Sequence, residues 1–172
     1  ASGEAQKSDG GRNINSNGDK DENSLTTGTF NIAYLPTDEL ELRAGASFAR
    51  TNVIYTGSLT LDEYKNDIKK STGTINEQWY DTDALSLGIS WYINDKLSFN
   101  IDGSREKKES IYDYQSTFFS YSSTTDYDYN SFKSTVDYVD NLFSITLGYD
   151  RFDGNLVNAN NDLTKTNDAL FF

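Results

Sequence analysis

Every second side chain is apolar from Leu40 to Phe48: Leu40, Leu42, Ala44, Ala46 and Phe48 alternate with Glu41, Arg43, Gly45, Ser47 and Ala49. A helix would scatter those residues around its circumference. A strand gathers them on one face, because successive side chains point to opposite sides. Period two held over this length predicts a strand whose two faces meet unlike surroundings. The same signal precedes it, with Phe30, Ile32 and Tyr34 set against Thr29, Asn31 and Ala33. Between the two runs stands Leu35-Pro36-Thr37-Asp38-Glu39, where proline and aspartate suit a tight turn.

The hairpin then repeats. Displaced by 57 residues, AYLPTDELELRAGAS falls without a gap on SWYINDKLSFNIDGS, apolar position on apolar position. Leu85, Leu87, Ile89, Trp91 and Ile93 alternate with polar or small residues, Asn94-Asp95-Lys96 makes the turn, and Leu97, Phe99 and Ile101 follow. A third hairpin is expected from about Tyr127 to Phe152. Its incoming apolar face is Phe132, Val136 and Tyr138, its turn lies near Val139-Asp140-Asn141, and its outgoing face is Phe143, Ile145, Leu147 and Tyr149.

Connections between hairpins read differently. Residues 51–82 and 152–167 are rich in Thr, Asn, Asp and Lys and are expected as long polar loops. Residues 106–126 are expected to be strands running on to a turn near Ser122–Thr125, carrying Tyr112, Tyr114, Phe118, Phe119 and Tyr121. Residues 1–24 hold almost no large apolar side chain and read as a flexible polar loop or tail, leaving residues 25–172 as the folded segment. Short turns on one side and long loops on the other are the asymmetry of bacterial outer-membrane barrels, whose short turns face the periplasm. The fold class expected is all-β: an antiparallel up-and-down transmembrane β-barrel segment of about six full strands and a stub. The stub is Asp168-Ala169-Leu170-Phe171-Phe172, which resembles the strand opening Asp83-Ala84-Leu85-Ser86-Leu87, so the chain reads as a fragment.

Composition agrees with that environment. Hydrophobic residues are 35% of the chain and net charge is -12, sparse apolar content for a packed soluble core. Yet 12 Tyr, 10 Phe and 2 Trp are too many aromatics for a disordered chain. In a barrel only alternate strand residues need be apolar. The lipid-facing set is expected to be Leu40, Leu42, Phe48, Leu85, Leu87, Ile89, Leu97, Phe99, Ile101, Phe143, Ile145 and Leu147. Tyr34, Trp91, Tyr138 and Tyr149 fall where strands would cross the membrane boundary, a place that suits a ring with a polar tip. Glu41, Arg43, Asn100, Asp102 and Asp150 are expected to face the lumen. The same alternation also builds soluble sandwiches, but sorted connections and matched aromatic positions in three hairpins favour lipid.

Little chemistry is available beyond this. With neither histidine nor cysteine, the chain offers no Ser-His-Asp triad, no thiolate or imidazole metal site and no imidazole or thiolate ligand for haem. The acidic balance and the lack of a basic stripe argue against nucleic acid. Acidic pairs such as Asp62-Glu63, Asp81 with Asp83, and Asp126 with Asp128 show no spacing that marks a catalytic pair. The Asp153–Asp162 loop lacks the Glu that an EF-hand needs at its twelfth position. The reading is non-catalytic, without a cofactor.

Two hairpins, LGISWYINDKLSFNIDGSREK and FNIAYLPTDELELRAGASFAR, resemble large outer-membrane barrels. The first is similar to strands of the barrels that sheath a multihaem cytochrome in porin–cytochrome conduits. The second is similar to TonB-dependent receptors through Pro36-Thr37-Asp38-Glu39-Leu40-Glu41-Leu42-Arg43-Ala44. The resemblance implies an outer-membrane passage or sheath, with the bilayer as one partner and a plug domain or multihaem cytochrome in the lumen as another. The alternative is a secreted soluble all-β adhesin or binding protein, in which the apolar faces meet as a core.

Overall fold

The computed structural model describes residues 1–15 and 17–172. The chain is one antiparallel sheet in strict up-and-down order: β1 (Ser2–Asn13), β2 (Lys20–Thr37), β3 (Leu40–Thr56), β4 (Thr74–Asn94), β5 (Leu97–Ser116), β6 (Ser120–Val139), β7 (Ser144–Asn158) and β8 (Asn161–Phe171). Each strand bonds only to its sequence neighbours. The sheet therefore does not close, and β1 and β8 are its edges.

The three expected turns are found, the third of them displaced, since Val139 ends a strand and Phe143, expected on the outgoing strand, lies in the turn. Asp38 and Glu39 join β2 to β3, Asp95 and Lys96 join β4 to β5, and residues 140–143 join β6 to β7. In the second, Asn94 Oδ1 accepts from the amides of Lys96 (2.9 Å) and Leu97 (3.1 Å), the side-chain mimicry of a backbone turn that asparagine provides.

The opposite side differs from expectation. Residues 1–24 are not a tail: Ser2–Asp9 form a ladder with Glu22–Thr29. The stretch 51–82 is mostly strand, leaving only residues 57–73 between β3 and β4, and these include a short helix α1 (Leu61–Asn66). Residues 152–167 are likewise β7 and β8 joined at Ala159-Asn160, so the expected stub is the end of a full strand, and the described residues form eight strands rather than about six and a stub. The turn expected at Ser122–Thr125 is at residues 117–119. One physical reason covers all four corrections. Period two is visible only where the two faces of a strand meet different media. Where both faces meet water, the pattern vanishes although the backbone ladder continues. The asymmetry between the two sides is thus one of polar strand overhang, with residues 57–73 as the single long connection among the described residues.

Among the described residues no helix is long and apolar enough to cross a membrane. No hydrophobic side chain among the described residues is buried; the three buried polar ones are Thr56, Asn76 and Ser90. A single sheet has no second layer, so it has no core of its own.

The residue 57–73 connection carries an ion pair at its helix cap. Thr60 and Glu63 form a capping box at the start of α1, and Lys70 Nζ lies 2.9 Å from Glu63 Oε1. Lys70 first, and the Thr60 amide and hydroxyl after it, hold the Glu63 carboxyl down to about 2, against an ordinary 4.5. A depressed folded-state value means the cap is at full strength above about pH 4.5 and is lost as pH falls toward 2. Amide protection of Glu63, or the carboxyl titration itself followed by NMR, should show loosening within that window. K70A should raise the midpoint toward the ordinary value.

Candidate membrane-facing surface and polar concave face

Antiparallel register places directly paired residues on the same side of the sheet. Leu40 pairs with Trp91, Leu42 with Ile89, Trp91 with Phe99, Ile89 with Ile101, Leu97 with Tyr138, and Tyr138 with Ile145. Through these pairs and their alternate neighbours, Leu40, Leu42, Phe48, Leu85, Leu87, Ile89, Leu97, Phe99, Ile101, Ile145 and Leu147 share one face. Tyr34, Trp91, Tyr138 and Tyr149 lie on it too. Phe143 stands in the turn beside it, its ring 5.7 Å from that of Tyr138. Glu41, Arg43, Asn100, Asp102 and Asp150 lie together on the other face.

The apolar face is open: Leu87 is 70% exposed, Leu147 55% and Ile89 41%. Some twenty such side chains present on the order of 1,000 Å² or more of apolar surface, against a few hundred for the largest patch of a soluble monomer. At about 25 cal/mol/Å², leaving that surface in water forgoes some 25 kcal/mol. That exceeds the roughly 5–15 kcal/mol by which a folded domain is stable. Something apolar must cover this face.

The outline of the patch carries more information. On the far side from the tight turns it stops abruptly, and the same face continues as charge. Phe48 is followed by Arg50, Leu85 is preceded by Asp83, Gly103 is followed by Arg105, Tyr149 by Arg151, and Leu170 is preceded by Asp168. Arg50 binds Asp83 (2.7 Å), Arg105 binds Asp128 (2.5 Å) and Arg151 binds Asp153 (2.7 Å). These pairs are exposed and contribute little to stability. What they mark is the edge.

That edge is oblique to the strands. Phe48 is level with Asp83, Leu85 with Arg105, and Phe132 with Arg151, so apolar faces charge along the ladder. From Phe48 on β3 to Leu170 on β8 the boundary falls by three two-residue rows in five strand-to-strand steps. With about 6.8 Å per row and 4.8 Å per step, that is an inclination of about 40°. The opposite edge runs the same way: Tyr34 is level with Leu42, Trp91 lies one row lower, and Tyr138 a further row lower. The patch is a band with parallel edges, crossed obliquely by the strands. Leu40 to Phe48 covers about 27 Å along β3, or about 21 Å across a band so inclined.

The other face is concave and polar. It bears an open hollow of about 820 Å³ bordered by Arg43, Gly45, Ser86, Asp102, Ser131 and Phe152, among others. Arg43 organises its floor: Nη2 lies 2.8 Å from Asp102 Oδ1, Nη1 donates to Ser90 Oγ at 2.6 Å, and Glu41 stands 3.6 Å away. The guanidinium crosses Gly88, where an added Cβ would come within 2.9 Å of two of its nitrogens. Ser90, 2% exposed, passes the network to Asn100 (2.6 Å); the Asn100 amide donates to Asp137 (2.9 Å), and Asp137 also accepts from Thr146 (2.6 Å). Hydrogen bonds thus run unbroken from β3 to β7. Such a network rigidifies a polar wall because each buried group has a partner.

Several of these residues escaped the sequence. Ser90, Asp137 and Thr146 are ordinary polar strand residues until register aligns them. Arg50, Asp83 and Arg105 carried a usable signal, since they continue the parity of the apolar run at the point where it turns polar.

Among the described residues no cluster of acidic side chains is arranged to hold a metal ion. No protein-family model matches the chain, and no curated protein matches its sequence.

Proposed function

We propose that this chain is wall of a bacterial outer-membrane β-barrel that serves as a passage or sheath, with lipid against its apolar band and a wet lumen against its concave face. The observation that carries the reading is the oblique band. Strands of membrane barrels tilt by about 35–45° and cross an apolar zone about 25 Å tall. A band about 21 Å across, inclined by about 40°, is what that geometry leaves on a strand ladder. The periplasmic side is that of the tight turns, and the charged overhang with residues 57–73 projects outward. The concave network of Glu41, Arg43, Asn100 and Asp102 supports a lumen, because its charges have partners within the wall and need no lipid-facing outlet. No catalytic role is proposed.

Unpaired backbone is costly in hydrocarbon, so in the bilayer the free edges of β2 at Phe30–Tyr34 and of β7 at Ile145–Leu147 pair onward in a closed wall. Flotation with liposomes after refolding tests the reading. Expected is co-flotation that survives urea and carbonate washing. Protein that stays monomeric without detergent, and remains in the aqueous fraction, overturns the proposal in favour of a secreted soluble β-protein.

A further inference from the structure

On the concave face stands a set of aromatic rings that serves no core. Phe152, at the border of the hollow, lies 5.7 Å from Tyr129, and Tyr129 lies 6.0 Å from Tyr127. Farther out along β6 a second group gathers: Tyr121 is 5.9 Å from Tyr114 with planes inclined by 30°, 5.6 Å from Tyr112 and 5.8 Å from Phe119. All but Phe119, which is in the turn, sit on strands and share the face of Asp102. None is buried. The rings make two groups in line, one at the outer end of the sheet and one leading into the hollow.

Their surroundings alternate with them. The residue paired with Tyr129 is Glu106, and the one paired with Tyr127 is Lys108. Ser104 and Ser131 share a hydrogen bond of 2.7 Å on the same face. The charged row at the floor holds two cations and two anions: Arg43, Asp102, Lys133 and Asp150. That row is balanced within itself, while Glu41 and Asp137 on the same face leave a net negative charge that disfavours an anion. The occupant this surface suits is electrically neutral, has apolar faces to lie on rings, and carries many hydroxyls at its rim for carboxylates, ammonium groups and serines. A saccharide chain has those properties: its C–H faces stack on aromatic rings while its hydroxyls exchange hydrogen bonds at the edges.

We infer that the concave face is a binding track for a neutral oligosaccharide, received at the Tyr112–Tyr114–Phe119–Tyr121 group and held along Tyr127, Tyr129 and Phe152 above the hollow. The inference rests on the reading of this face as a lumen wall open to water. It does not need the opposite face to be in lipid.

The test uses the refolded protein in detergent, with maltohexaose and cellohexaose as probes and NMR or calorimetry as readout. At least one hexasaccharide should bind at millimolar concentration, with upfield shifts of its ring protons as they come over aromatic faces. Tyr129→Leu should weaken binding about three- to tenfold, the span of one aromatic stacking contact. Tyr129→Phe should keep most of the affinity, and Tyr34→Leu, on the opposite face, all of it. No binding to either probe at 0.1 M, taken here as an order-of-magnitude ceiling about 100-fold above a 1 mM constant, overturns the track. So does equal binding by wild type and Tyr129→Leu, or a preference for a protein partner that Tyr129→Leu leaves unchanged. Flotation separates the two proposals: protein that enters liposomes yet ignores both sugars keeps the barrel and loses the track. Protein that binds sugar but stays in water keeps the track and loses the barrel.

Discussion

Leu87→Arg is expected to lose about 2–4 kcal/mol of stability in a bilayer, the cost of an arginine on the lipid face near mid-depth of a barrel. Leu87 is well inside the band on β4, flanked on its own face by Leu85 and Ile89, and 70% exposed toward whatever covers it. The neighbouring substitution Ser86→Arg places the same charge one residue away on the concave face, where Asn31 and Ser86 converge over Gly45. There the guanidinium stays in water, at a cost set by crowding alone, about 1–3 kcal/mol at most. The contrast is the test. Urea titrations of both variants in liposomes should show Leu87→Arg strongly shifted, and lengthening of the lipid chains should enlarge the gap between them. Repeating the titrations in detergent micelles, which allow a charge to reach water, should shrink it. Equal losses in bilayer and micelle would mean that the apolar face is covered by protein.

The second large effect concerns depth along a single rung. Leu87, Gly103, Phe132 and Arg151 are joined by direct pairing, so a flat, untilted sheet would hold them at one level. An inclination of about 40° instead separates Leu87 from Arg151 by about 9 Å of depth over three strand spacings. Single cysteines at these four positions, in a chain with no native cysteine, allow the gradient to be read directly. A membrane-impermeant maleimide should label position 151 rapidly and position 87 slowest, with 103 and 132 in order between them. Quenching of an attached fluorophore by lipids brominated at known depths should give the reverse order. Uniform labelling along the rung would remove the tilt, and with it the main support for a membrane barrel.

Much of this surface was legible before any coordinate. The alternation in Leu40–Phe48 and Leu85–Ile93 assigns each residue to a face without knowing its neighbours, because a strand has only two sides. The turns at Asp38, Asp95 and Asp140 follow from residue chemistry that acts within four residues. Both are local matters, and local matters are written in the order of the chain.

The rest was decided in three dimensions. Residues Ser2–Asn13 and Asn161–Asn167 carry no periodic signal, since water on both faces asks nothing of alternate positions; what makes them strands is the edge offered by β2 and by β7. The obliquity of the apolar band is a property of register between strands more than a hundred residues apart, and no single hairpin contains it. The same holds for the wall of Arg43, Ser90, Asn100, Asp137 and Thr146, and for the line of rings ending at Phe152. Alternation tells which side a residue takes. Pairing tells how high it stands and beside whom, because hydrogen bonds between distant strands set that height.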